Sequence, residues 1–214
     1  MVETFKHILD LDFDWLVREY QTAIYFVLFI VIFVETGLVA MPFLPGDSLL
    51  FTAGLFARTM PEHLQLTYII GLLIVAAVLG DNVNYWVGRT IGLKVFSIKI
   101  RGRNIVKKEY LEKTQEFFER KGTVAIILAR FVPIVRTFSP FAAGVGKMNY
   151  RRFVTFDILG GVLWICSLTI AGYLLGEITW IREHIDLVCL GIILLSVLPM
   201  IIAYLKAKFG KKNA

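Results

Sequence analysis

Residues 122–146 read GTVAIILARFVPIVRTFSPFAAGVG. At 25 residues the stretch is long enough to cross a bilayer, since a spanning helix needs about 20 apolar residues. Yet it holds Arg130 and Arg136 and is broken by Pro133 and Pro140. Basic residues flank it on both sides, Arg120 and Lys121 before, Lys147, Arg151 and Arg152 after. Basic flanks stay on the cytoplasmic side. The segment is therefore expected to enter and leave by the inner face, as a re-entrant hairpin rather than a crossing.

The rest of the chain fits a membrane reading. Of 214 residues, 57% are hydrophobic and 19% charged, and the mean hydropathy is +0.70, above what a soluble globular domain carries. The apolar stretches allow about four spans and leave no separate soluble catalytic domain. The net charge of +6 reads as cytoplasmic loops rather than a nucleic-acid surface.

Ile158–Gly176 and Leu187–Leu205 are each 19 residues without a charge and read as spans. Leu64–Gly80 is uncharged over 17 residues and continues through Asp81, Asn82, Asn84 and Tyr85 to Arg89, a crossing with a polar lower half. Residues 22–57 form a 36-residue stretch interrupted by Glu35 and Asp47 and broken by Gly37, Pro42, Pro45, Gly46 and Gly54. That is too long for one crossing and short for two, so one span followed by a second hairpin at about 41–57 is expected.

The loop from 88 to 122 holds ten Lys/Arg against four Glu and is placed in the cytoplasm with the basic tail, 206–214. The acidic connector 177–186 then lies outside, as does 58–63, and both termini are cytoplasmic. The first hairpin opens from the outer face and the second from the inner. Two opposed hairpins, each followed by a span, form the pattern of an inverted repeat with a transport site near the midplane. Phe43-Leu-Pro-Gly-Asp47 before Ala53-Gly54 is echoed weakly by Phe131-Val-Pro-Ile-Val-Arg136 before Ala143-Gly144. The expected fold is all-α and polytopic, with two opposed re-entrant hairpins, about four transmembrane helices and interfacial amphipathic helices.

One membrane domain is expected over 22–205, with a cytoplasmic loop at 88–121. Residues 1–21 carry Phe5, Ile8, Leu9, Phe13, Leu16 and Tyr20 at helical spacing and read as a helix lying in the interface. With five acids by Glu19 and no apolar core of signal length, no cleaved leader is expected. Val106, Tyr110, Thr114, Phe117 and Phe118 mark a second in-plane helix. Cys166 and Cys189 match no metal or redox spacing and read as packing residues.

A charge at mid-bilayer costs about 2.5–3.5 kcal/mol on insertion scales, so such groups face a cavity or a partner and carry function. Here the first broken segment holds two acids, Glu35 and Asp47, and the second two arginines, Arg130 and Arg136. Meeting at a common centre, they neutralise one another. The functional reading gives Arg130 and Arg136 an anionic phosphate headgroup, because guanidinium offers planar bidentate donors and keeps its charge. Glu35 and Asp47 become candidates for proton-linked gating. The alternative is a set of internal salt bridges pinning the hairpins together, and both readings are compatible.

Asp81, Asn84 and Arg89 are secondary candidates for the inner mouth of the same cavity. Asp157 is expected to pair locally with Arg151 and Arg152. The hairpin breaks rest on Pro42, Pro45, Gly46, Pro133 and Pro140. Catalysis finds little support. The three histidines, His7, His63 and His184, fall outside the expected spans, no metal-ligand spacing exists, and Ser48 lacks a partner base. No cofactor or metal is expected, and self-association is left open.

Phe33-Val-Glu35-Thr-Gly-Leu, then Pro42-Phe-Leu-Pro-Gly-Asp47-Ser-Leu-Leu, then Gly80-Asp81 to Tyr85 and Gly88-Arg89, then Ala129-Arg130-Phe-Val-Pro-Ile-Val-Arg136-Thr-Phe-Ser-Pro-Phe-Ala-Ala-Gly144 together resemble the bacterial DedA family. That family carries the VTT (SNARE-associated Golgi) domain shared with eukaryotic lipid scramblases. The likeness runs from about 22 to 205 and is closest to the branch that gives the family its name. It implies an inner-membrane lipid transporter with opposed hairpins, whose acidic and arginine pairs map onto Glu35, Asp47, Arg130 and Arg136. It also implies undecaprenyl phosphate or phosphatidylethanolamine as the lipid moved, with dependence on the proton motive force. A proton-coupled ion exchanger and a structural organiser of the membrane remain as alternatives of a different class.

Overall fold

The computed structural model describes residues 21–38, 46–92, 99–100, 103–104, 126–192 and 194. The interfacial helix expected over 1–21, the in-plane helix at 106–118, Pro42 and Pro45, and the basic tail lie outside these residues, apart from the first residue of α1. The fold is helical. The helices are α1 (Gln21–Gly37), α2 (Gly46–Thr59), α3 (Leu66–Val87), α4 (Pro133–Val145), α5 (Tyr150–Leu175) and the short α6 (Thr179–Glu183). Residues 126–129 are also helical, as are 185–192 at the start of the run expected to span over Leu187–Leu205. A two-residue antiparallel ladder, β1 (Lys99–Ile100) with β2 (Arg103–Asn104), is the one sheet among the described residues.

Two of these helices are long and apolar enough to cross a bilayer, Leu66–Thr90 with 25 residues and Tyr150–Leu175 with 26. At 1.5 Å per residue each reaches about 38 Å, beyond the roughly 30 Å of a hydrocarbon core. α3 runs without interruption through its polar half and ends in a π-helical turn, Gly88–Gly92. α5 begins eight residues before the uncharged run, because Asn149 caps it: its Oδ1 accepts from the Arg151 and Arg152 N–H groups at 3.0 and 3.3 Å. α2 and α4 have 14 and 13 residues, about 20 Å each, and neither reaches across.

Helix spacing explains the packing. On α5 the buried positions include Phe153, Asp157, Gly160, Gly161, Trp164, Ile165 and Thr169, and on α3 Ile69, Leu73, Ala76, Ala77, Gly80, Asp81 and Asn84. Steps of three and four keep each set on one stripe. The opposite faces stay apolar and exposed, with Val75, Leu79 and Val83 on α3 and Leu159, Leu163 and Ile170 on α5, the composition a lipid-facing surface requires. One buried core joins α1, α2, α3 and α5 around Ile32, Leu50, Leu73 and Ile165. A second collects Tyr85, Ile126, Ala143, Met148 and Phe153, so residues before and after the turn at 130–132 meet in one cluster.

The short helices exchange partners between the two halves. α2 packs on α5 and α4 packs on α3. The first crossing is tight at Gly54 and Gly172, where added Cβ atoms would run into the carbonyls of Thr169 and Phe51. The second is tight at Gly144 and Gly88, where they would run into those of Tyr85 and Phe141. Ala53-Gly54 and Ala143-Gly144, the weak echo in the sequence, thus occupy matching positions in the two crossings. Pro133 opens α4, where its missing N–H costs nothing. Pro140 does not break the chain as expected: α4 continues through it, as prolines do in membrane helices whose neighbours and local backbone adjustments accommodate the freed carbonyl.

Candidate functional site

Between the two cores lies a belt of buried charge. At the end of α1, Glu35 is fully buried and faces the first residue of α2. Gly46 sits so close to the Glu35 carboxylate that any Cβ there would overlap it, which explains a glycine as the first residue of α2. The start of a helix favours a nearby anion through its free N–H groups and its dipole. Asp47 follows in the first turn of α2.

Arg136, in the first turn of α4, reaches both acids. Its Nη2 donates to Glu35 Oε1, and its Nη1 donates to Asp47 Oδ1 at 2.7 Å. The guanidinium lies over the Trp164 ring, 4.3 Å from Cζ to centroid, and the Trp164 indole N–H donates to the same Asp47 Oδ1 at 2.9 Å. Arg136 is 4% exposed, Glu35 is sealed, and Asp47 keeps 17%. Asp47 is therefore the side on which this cluster meets its surroundings.

Arg130 does not join that centre. It sits in the turn before α4, and its single Nη2 donates to Asp81 Oδ2 on α3 and to Asp157 Oδ1 on α5, the latter at 2.6 Å. All three side chains are at most 3% exposed. The expectation of four charges at one point becomes two neighbouring triads, each with two carboxylates and one guanidinium. The local pair expected for Asp157 is also corrected. Arg151 and Arg152 stand six and five positions away, off its face of the helix, and both are exposed.

The secondary candidates separate as well. Asn84 is buried between the triads, and its Nδ2 donates to the carbonyls of Thr36 at 3.1 Å and Thr137 at 2.7 Å, tying α1, α3 and α4 together. Arg89 stands at one end of the bundle: its Nη1 donates to Tyr85 Oη at 2.6 Å and to the Met148 carbonyl at 3.2 Å. At the opposite end Arg58 pairs with Glu177 and donates to Tyr173 Oη at 3.1 Å. The segments expected outside thus meet at one end, and those expected inside meet at the other.

Two residues were missed by sequence reasoning. For Asp157 the sequence offers a nearer pair in its basic neighbours Arg151 and Arg152. Trp164 stands in an apolar run, although a buried indole N–H needs an acceptor, and that need is a usable signal. Among the described residues no group of three or more His, Cys, Asp and Glu is placed to hold a metal ion.

The VTT domain matches residues 44–174. Protein DedA of Escherichia coli (strain K12) is 44% identical over 214 residues, covering all of this chain and 96% of its own. An uncharacterised membrane protein of Mycobacterium tuberculosis (strain ATCC 25618 / H37Rv) is 41% identical over 185 residues, 86% of this chain and 80% of its own. Inner membrane protein YghB of Escherichia coli (strain K12) is 34% identical over 181 residues, 82% and 78% of the two chains. No solved structure matches. With its charged belt set between apolar spans, this chain belongs to the DedA family of VTT-domain membrane proteins.

Proposed function

We propose that the protein is a lipid transporter, a flippase or scramblase that moves a phosphate-bearing lipid between the leaflets of a bacterial inner membrane. Undecaprenyl phosphate stands ahead of phosphatidylethanolamine and other glycerophospholipids, because a small exposed monophosphate suits arginine donors without further headgroup contacts. The observation that carries this reading is the place of Arg136, where the first turns of two half-length helices meet. Planar guanidinium donors suit phosphate, helix starts favour anions, and transporters place such half-helix ends at the midplane. On this reading α2 and the 126–145 segment are the re-entrant limbs, entering from opposite faces, with both termini cytoplasmic. The headgroup displaces Asp47, the more exposed acid, from Arg136. Arg130, held by Asp81 and Asp157, positions the turn from which α4 starts.

A second reading, proton-coupled ion exchange, draws support from the count of charges, since each triad sets two carboxylates against one guanidinium. Glu35 and Asp47 then carry the coupled protons and lipid effects are secondary. Leaflet exchange in proteoliposomes separates the two. Labelled undecaprenyl phosphate, phosphatidylethanolamine and phosphatidylcholine are compared with and without a pH gradient, for the wild type and Arg136→Ala. Selective movement of a phosphate lipid, silenced in Arg136→Ala, is expected. Failure of every lipid to move under any gradient overturns the transporter reading and leaves ion flux to be measured in the same vesicles.

A further inference from the structure

Trp164 belongs to α5, yet its indole touches both members of the ion pair that joins the starts of α2 and α4. Its ring lies under the Arg136 guanidinium at 4.3 Å. Its Nε1–H donates to Asp47 Oδ1 at 2.9 Å, the oxygen that also accepts from Arg136 Nη1 at 2.7 Å. One carboxylate oxygen therefore holds two donors, a charged one from α4 and a neutral one from α5. The side chain is 2% exposed, so its position is set by packing.

This arrangement bears on how the pair opens. Withdrawing one partner from a buried ion pair is costly because the other charge is left without compensation. When Arg136 turns to a phosphate, Asp47 Oδ1 keeps the indole N–H. A ring face holds a guanidinium through its π system and consumes none of the in-plane N–H groups, so those donors stay free to pass from carboxylate to phosphate. A leucine at 164 offers neither contact, and a phenylalanine offers only the ring. We propose that Trp164 is a positioning residue for headgroup exchange, holding Asp47 and Arg136 in place while a phosphate monoester takes Arg136 from Asp47. This rests on the lipid-transport reading above.

The test compares wild type, Trp164→Phe and Trp164→Leu in phosphatidylcholine proteoliposomes with labelled undecaprenyl phosphate, each protein first checked for folding by size exclusion and melting. For Trp164→Phe the maximal rate is expected to fall roughly tenfold, the loss of one hydrogen bond to a charged group. Its half-saturating lipid concentration stays unchanged because the ring still supports Arg136. Trp164→Leu loses both. The second readout is the difference in tryptophan emission between wild type and Trp164→Phe, expected to shift with undecaprenyl phosphate and not with phosphatidylcholine alone. A shift with inorganic phosphate as well supports the site and assigns recognition to the phosphate rather than the lipid chain. A Trp164→Phe protein at wild-type rate, or a difference emission indifferent to phosphate, overturns the proposal while Arg136→Ala still tests transport. A wild type that moves no lipid strikes the transport reading itself, and the emission shift then decides Trp164 separately.

Discussion

Arg130→Gln should destabilise the protein more than Arg136→Gln, although the two arginines stand six residues apart and each holds two acids. Removing the Arg130 charge leaves Asp81 and Asp157, each 1% exposed, facing each other with no cation between them. Taking one partner from a buried ion pair costs about 3–5 kcal/mol, and here one guanidinium serves two carboxylates, so the upper end applies. Against a total stability of about 5–15 kcal/mol, that is a third or more. Asp157→Asn leaves one acid on one guanidinium and keeps an acceptor at the same place, so its cost should be about 1 kcal/mol. Combining Arg130→Gln with Asp81→Asn and Asp157→Asn removes every charge and should recover most of the loss. At Arg136 the cost should lie at the lower end of that range, about 3 kcal/mol, because Glu35 alone is left sealed without a cation while Asp47 is 17% exposed and keeps the Trp164 N–H. Denaturant unfolding in detergent, followed by far-ultraviolet circular dichroism, measures all four. An Arg130→Gln midpoint equal to wild type, or equal to that of Arg136→Gln, would refute the sealed triad.

Arg136→Lys should stay folded and inserted while lipid movement in proteoliposomes falls by tenfold or more, since an ammonium loses the bidentate geometry; retained movement counts against a phosphate site. Gly172→Val should lower the melting temperature by the equivalent of about 1–3 kcal/mol or more, because its Cβ meets the Phe51 carbonyl. Gly71→Ala, with open space around it, should be neutral or stabilising by about 1 kcal/mol, and equal losses at both would refute the tight crossing. In whole cells a cysteine in place of Arg58 should label with an impermeant reagent and one in place of Lys147 should not. Labelling of both from outside would break the opposed-hairpin arrangement. The swap Asp47→Arg with Arg136→Asp should leave lipid movement lost, because Glu35 and Trp164 remain arranged for a guanidinium at 136; full recovery would mean that pairing alone matters.

The long elements were legible because a bilayer imposes a length and a polarity that a single sequence displays. Leu64–Gly80 and Ile158–Gly176 announce α3 and α5, and the polar run from Asp81 to Arg89 announces that α3 faces something other than lipid. The Glu35, Asp47 and Arg136 cluster was legible for a similar reason, since no charge persists in such a run without a partner. What was not legible is which partner each charge takes. Arg130 and Arg136 lie on one short segment, and nothing local says that the first turns to the spans and the second to α2. That choice is made by the glycine crossings, where backbones approach closely enough to fix the two halves against one another. Pro140 reads as a break because a proline is judged against an isolated helix, whereas α4 packs along α3 and its π-helical end.

The way each guanidinium divides its nitrogens sets the two triads apart. Arg130 reaches Asp81 and Asp157 with one nitrogen, Nη2, so its bonds bind α3 to α5 through a single atom. The spans cannot part there without stranding a buried carboxylate, and the turn carrying Arg130 moves only with them. Arg136 reaches Glu35 with Nη2 and Asp47 with Nη1. It can release one acid and keep the other, and the acid it can release is the one with both residual exposure and a second donor. A site that must exchange a protein carboxylate for a ligand phosphate needs that graded release. A joint that must hold two spans in register needs the opposite. On the lipid-transport reading the two arginines of one apolar segment are thereby suited to different tasks, with Arg130 fixing the frame and Arg136 standing where the frame's two short helices leave a charge to be exchanged.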